Sequence, residues 1–212
     1  MMALTGLLLF GFLIAHLSGN LLLFKGQKAL NDYAAWLASL GPLLWVARLG
    51  LLAVFAVHVL LGISLSRENR GARPAPYAFE KTVQAPLPSL WMLRTGLLVL
   101  AYVVYHLAHF TFGIVQPAGH ALVEAGTQRH DVYGMVVHGF RNPVVALSYV
   151  AFLGVLGLHL WHGLASFFQT MGLSHEGYAK LIRKAAHAVT WILILAYAAL
   201  PVAVLTGLVG KS

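Results

Sequence analysis

The sequence predicts an all-α polytopic membrane protein, a single domain built as a five-helix up-and-down bundle over residues 1–212. Two observations carry this. Of the 212 residues, 59% are hydrophobic and only 9% charged, against about a quarter charged in a soluble domain. The apolar residues also gather into five runs, each long enough to cross ~30 Å of hydrocarbon at ~1.5 Å per residue.

The spans are expected at about 4–24, 43–66, 90–115, 143–170 and 185–209. The first resembles a signal peptide in position. It lacks a basic arm, and its apolar run suffices to span, so it reads as a retained helix. Pro42 and Pro143 stand where the second and fourth helices begin, positions at which a missing N–H costs nothing. Pro201 lies inside the fifth and is expected to kink it. The connections at 25–42 and 116–142 mix Tyr33, Trp36, Tyr133 and Phe140 with polar residues, the amphipathic pattern of a membrane interface. Short loops imply antiparallel neighbours.

Basic residues set the orientation. Arg67, Arg70, Arg73, Lys81, Arg94, Lys180, Arg183 and Lys184 fall on one side; Lys25, Lys28, Arg48, Arg129, Arg141 and Lys211 fall on the other. The surplus favours a cytoplasmic N-terminus. The net charge of +8 fits this topology and contact with anionic membrane lipid. No nucleic-acid motif accompanies it.

The chain has eleven histidines and no cysteine. Absent thiols exclude disulfides, thiolate-bound clusters and covalently attached c-type haem. His16, His58, His106, His159 and His187 each fall in a different apolar span. An ionisable group in hydrocarbon is costly and marks a candidate site. Depth pairs four of them. His16 lies ~18 Å along the first helix and shares the outer half with His106. His58 and His159 share the inner half. Two porphyrins, stacked along the membrane normal and each held by two imidazoles, satisfy this arrangement. Gly19, Gly62 and Gly163, three or four residues after His16, His58 and His159, are expected to leave room for a flat macrocycle. Zinc sites usually include a carboxylate or thiolate, which these spans lack.

Two pairs leave the ligand open. His106 and His109, like His159 and His162, are three residues apart and share a face of an α-helix. His187 is expected at the inner interface, and His120, His130, His138 and His175 in solvated loops. Arg94, at the inner end of the third helix, is either the partner of a haem propionate or a plain interfacial anchor. Asn20, Ser166 and Gln169 are polar near span ends, where helix capping explains them as well as quinone binding does.

Around these histidines the text is F-L-I-A-H-L-S-G-N at His16, V-H-V-L-L-G at His58, R-T-G then V-V-Y-H at Arg94 and His106, and H-L-W-H-G-L-A-S-F at His159. With D-V-Y-G-M-V-V-H-G-F-R-N-P from Asp131 to Pro143, these strings resemble, in order and spacing over nearly the whole chain, the cytochrome b membrane-anchor subunit of succinate dehydrogenase/fumarate reductase, in its five-helix, two-haem class. The resemblance implies that His16 and His106 are axial ligands of the outer haem b, and His58 and His159 of the inner one. His109 and His162 become the alternates. It further implies a flavoprotein subunit and an iron–sulfur subunit docked on the inner face, with electrons passing between them and a membrane quinone, menaquinone or ubiquinone, in a bacterial or archaeal cytoplasmic membrane. The enzyme would then be the whole complex, and this chain its non-flavin anchor. The missing N-terminal arm departs from the family pattern and bears on contacts with the soluble subunits. An anchor of a hydrogenase or formate dehydrogenase, and a haem-free transporter with a histidine relay, are the rival readings.

Overall fold

The computed structural model describes residues 1–72, 91–173 and 175–210. Arg73, Lys81, Leu90 and Lys211, used above for topology and span limits, lie outside them. Among the described residues there are eight helices and no strands. α1 is Met2–Asn20, continued by a tight 3-10 turn to Lys25; α2 is Gln27–Ser39; α3 is Pro42–Gly71. α4 is Met92–His106, continued by a π-helical turn over Leu107–Thr111; α5 is Pro117–His120 and α6 is Val132–Arg141. α7 is Pro143–Thr170 and α8 is Glu176–Leu205.

Five segments are long and apolar enough to cross a membrane: Met2–Lys25, Pro42–Gly71, Met92–Thr111, Pro143–Thr170 and Gly177–Leu205. The protein is therefore a multi-pass all-α membrane protein. The spans alternate in direction. We call the end where the chain starts the near face and the opposite end the far face.

Local chemistry sets the helix starts. Gly41 takes a backbone conformation with φ 53°, and Pro42 opens α3 behind it. Asn142 caps α7 by accepting from the Val144 and Val145 N–H groups, with Pro143 as its first residue. Asp131 caps α6 through Gly134 N–H. His175 does the same for α8, its Nδ1 accepting from Gly177 N–H at 3.2 Å. The last helix therefore begins nine residues before its expected start at 185. Its first turns are polar and extend beyond the apolar run. Pro201 sits inside α8.

The two connections read as amphipathic are helices, α2 and α6, and they cap the far face. Asn31, which is buried, donates from Nδ2 to Asp131 Oδ1 and accepts the Tyr133 N–H, while Gln27 donates to Asp131 Oδ2. Arg129 binds both Asp32 and Glu124, and Lys28 pairs with Asp32. All three ion pairs among the described residues lie on this face. The core runs between α1, α7 and α8 and includes Leu17, Ala146, Tyr149, Leu193, Leu200 and Val204. By contrast α3 buries no residue. Its exposed Leu49, Leu52 and Leu60 present the apolar surface that lipid requires.

Candidate functional site: two histidine layers

α1 and α4 carry the same phrase. Thr5-Gly6 precedes His16, and Thr95-Gly96 precedes His106; threonine and histidine are eleven residues apart in both helices. Eleven residues make about three turns and ~16 Å of rise. Each helix thus presents a Thr-Gly step near one face and, on the same side of its axis, a histidine far along. α3 and α7 supply His58 and His159 to the near level, while the two far histidines face each other from α1 and α4.

In the near layer the His58 and His159 ring centroids are 6.3 Å apart, with planes at 77°. In the far layer His16 and His106 are 6.0 Å apart, at 86°. Two imidazoles on opposite sides of one ion, with bonds of ~2.0–2.1 Å, have centroids about 6.4 Å apart. Both separations fit a shared ion. The facing imidazoles do not hydrogen-bond each other in either layer.

The near-layer rings are held in one tautomer. Thr5 Oγ1 donates to the Met2 carbonyl at 2.9 Å, so the same oxygen accepts from His58 Nδ1 at 3.1 Å. Thr95 Oγ1 donates to the Trp91 and Met92 carbonyls at 3.0 and 3.1 Å and accepts from His159 Nδ1 at 3.3 Å. A neutral imidazole that donates from Nδ1 keeps its lone pair on Nε2. Histidines that bind metal commonly donate their second N–H in this way. A glycine lies against each ring, and at Gly96 the fit is tight. A Cβ at Gly6 would stand 3.4 Å from His58 Cε1, and one at Gly96 3.3 Å from His159 Cε1.

The far layer is aromatic. His16 stacks on Phe12 at 5.3 Å, and Tyr197, which donates to the Leu13 carbonyl at 2.6 Å, lies 6.2 Å from it. Tyr149 reaches both histidines of α4: its hydroxyl is 3.4 Å from His106 Nδ1 and 3.1 Å from His109 Nδ1. His109 Nε2 meets Gln116 Oε1 at 2.7 Å. Both nitrogens of His109 are therefore engaged within the protein, and the residue is 1% exposed. The expectation that His106 and His109 share a face assumed an α-helix. His109 lies in the π-helical turn over Leu107–Thr111 with its nitrogens on Tyr149 and Gln116, whereas His106 faces His16, and such turns recur at functional sites. His106 is thus the member of the pair that meets His16.

His162 is half-buried and makes no hydrogen bond among the described residues, while its neighbour His159 faces His58. His187 packs edge-on against Trp161 at 4.5 Å near the near face. His130, His138 and His175 are exposed, but His120 is half-buried, 5.0 Å from His130, and bonded to the Thr111 carbonyl. Arg94 is exposed, with its guanidinium 4.9 Å above the Trp91 ring, the geometry of an interfacial anchor. Asn20 Nδ2 donates to the His16 carbonyl and Ser166 to that of Gly163, so both side chains serve their own helices.

The glycines against the near-layer rings are Gly6 and Gly96, and Gly19, Gly62 and Gly163 have other surroundings. A Cβ on Gly19 would meet the Tyr33 ring at 2.5 Å, and one on Gly62 would touch Met2 at 3.5 Å, so both close helix contacts. Gly163 faces open space. The histidines alone do not point to Thr5, Thr95, Gly6 and Gly96; the repeated Thr-Gly step at a fixed offset from a histidine does. Two buried side-chain oxygens among the described residues lack a partner, those of Tyr102 and Thr190. Tyr102, seven residues past Thr95 and four before His106, lies between the layers.

No protein-family model matches the chain, and comparison with curated proteins and with solved structures finds no match.

Proposed function

We propose that the chain is the membrane anchor of a succinate:quinone oxidoreductase, with His58 and His159 holding one b haem and His16 and His106 a second. The observation that carries this reading is the pair of imidazole couples, level across the bundle and separated by about the spacing that a shared ion demands. Each couple offers two nitrogens; a porphyrin supplies the other four. A haem bound at each layer supplies a one-electron carrier within the hydrocarbon. The protein's own part is to keep Nε2 of the ligands unprotonated through Thr5 and Thr95, to hold the rings apart, and to exclude water with apolar walls. An unpartnered hydroxyl such as that of Tyr102 costs about 1–3 kcal/mol, and a polar edge of a bound group would satisfy it.

The same reading orients the molecule. Arg67, Arg70, Arg94, Lys180, Arg183 and Lys184 lie toward the near face, against Lys25, Lys28, Arg48, Arg129 and Arg141 toward the far one. That surplus supports the near face as the cytoplasmic one, where an iron–sulfur subunit and a flavoprotein subunit would dock, in the cytoplasmic membrane of a bacterium or archaeon. Quinone would react within the membrane. The succinate assignment itself rests on the family resemblance of the sequence.

Mild-detergent purification of the intact complex tests the proposal. The expected result is two b haems per chain, co-purifying flavoprotein and iron–sulfur subunits, and succinate-dependent quinone reduction. Absence of haem bands overturns the assignment of the histidines. Two haems with a hydrogenase or formate dehydrogenase in place of the flavoprotein overturns the choice of complex.

A further inference from the structure

We propose that Gln116, outside the histidine layers, selects which nitrogen of His106 is free to bind iron, acting through His109 and Tyr149. The inference rests on reading His106 as a haem ligand and adds a positioning residue to it.

The argument follows the protons. The chain runs from Gln116 Oε1 to His109 Nε2 at 2.7 Å, from His109 Nδ1 to the Tyr149 hydroxyl at 3.1 Å, and from that hydroxyl to His106 Nδ1 at 3.4 Å. His109 is 1% exposed and Tyr149 7%. A neutral imidazole has one donor and one acceptor, and a phenol has a single proton to give. Direction therefore propagates along the chain. With the Gln116 carbonyl oxygen toward His109, Nε2 of His109 carries the proton and its Nδ1 accepts. The Tyr149 O–H is spent on that acceptor, and its oxygen accepts from His106 Nδ1. The lone pair of His106 is then on Nε2.

If the amide is turned to present its NH2 group, each link reverses. His109 Nδ1 donates to Tyr149, Tyr149 donates to His106 Nδ1, and the remaining proton of His106 moves to Nε2, which cannot then ligate. The orientation of one amide thus fixes a ligand three hydrogen bonds away in the network. Packing constrains that amide: a Cβ on Gly139 of α6 would sit 3.2 Å from Gln116 Oε1 and 3.1 Å from the Phe110 ring. The near layer needs no such device, because Thr5 and Thr95 are polarised directly by helix carbonyls.

Two substitutions of opposite polarity test the proposal in the purified complex. Gln116→Glu keeps an acceptor toward His109. It should retain two haems per chain and the wild-type low-spin electron paramagnetic resonance signal of the far haem. Gln116→Lys offers only donors. It should lower far-haem occupancy, or raise the potential of the haem that remains by about tenfold in its reduced-to-oxidised ratio, ~59 mV for one electron. Tyr149→Phe should do the same. The near haem, unmoved in all three, reports that the bundle has folded. A far haem unchanged in both Gln116→Lys and Tyr149→Phe would overturn the relay, as would equal disturbance of both haems. A wild-type complex without haem would instead overturn the underlying assignment, before any variant is made.

Discussion

The near and far histidine layers share a geometry and differ in how their rings are held. Near the first face, each ring is held by a threonine from the opposing helix, whose hydroxyl is committed to its own helix carbonyl. Toward the far face, His16 rests on Phe12 and His106 on a chain of three further side chains. A hydroxyl in the first turn of a helix is a short, local device that any Thr at the right register provides. A relay of Tyr, His and Gln depends on three separate elements packing correctly. The near layer is thus encoded in a few adjacent residues, and the far layer in the tertiary fold.

The sharpest way to break the comparison is to remove one ligand. His16→Ala is expected to abolish the far haem and spare the near one, read as one haem per chain with a single low-spin signal. Loss of both, or of neither, would show that the layers are not independent. Gly96→Val comes next. The added atoms meet His159 Cε1, where even a Cβ would stand at 3.3 Å, and such overpacking costs typically ~1–3 kcal/mol. Near-haem content should fall while the far signal persists.

A smaller effect is expected for Thr5→Val and Thr95→Val. Each leaves a histidine N–H without its acceptor, and loss of such a partner lowers metal affinity by about 10–100-fold. Haem retention during dilution in detergent measures it. If these variants weaken the far haem as much as the near one, the division of labour is wrong. Arg94→Gln should be smaller again if the residue is only an anchor over Trp91. A changed near-haem potential would assign it to a propionate instead.

The smallest effect is a pH response confined to the far-face connection. Partial desolvation at the surface, and after it the charge of His120, hold His130 below the ordinary imidazole value of 6.5. The unfolded segment therefore binds more protons than the folded one as pH falls through 6.5. The contribution to stability is present above that value and is lost on acidification. Hydrogen exchange over residues 113–131 should quicken as pH is lowered through 6.5, beyond the intrinsic pH dependence of exchange. The excess should vanish in His130→Asn. Neither haem spectrum should change.

The five spans were legible because an uninterrupted apolar run is the strongest signal a membrane imposes. Where that signal stops, helix ends were lost: the first turns of α8 are polar, and their start is marked only by His175 as cap. The pairing of His16 with His106 and of His58 with His159 followed from depth alone, since helical rise converts sequence distance into height. The choice between His106 and His109 did not follow. It depends on the contacts that Tyr149 and Gln116 make with His109, which no residue spacing announces. Thr5-Gly6 and Thr95-Gly96 are legible as a duplicated phrase at an identical offset, which the histidine positions alone do not reveal.

The eleven-residue offset has one more consequence. Because α1 and α4 each serve both levels, the interval between the two centres is a ruler cut from helical pitch, independent of any loop. Inserting a single residue between Thr5 and His16 would swing one end by ~100° relative to the other. The helix would keep its length and its lipophilicity, yet it would no longer face both partners at once.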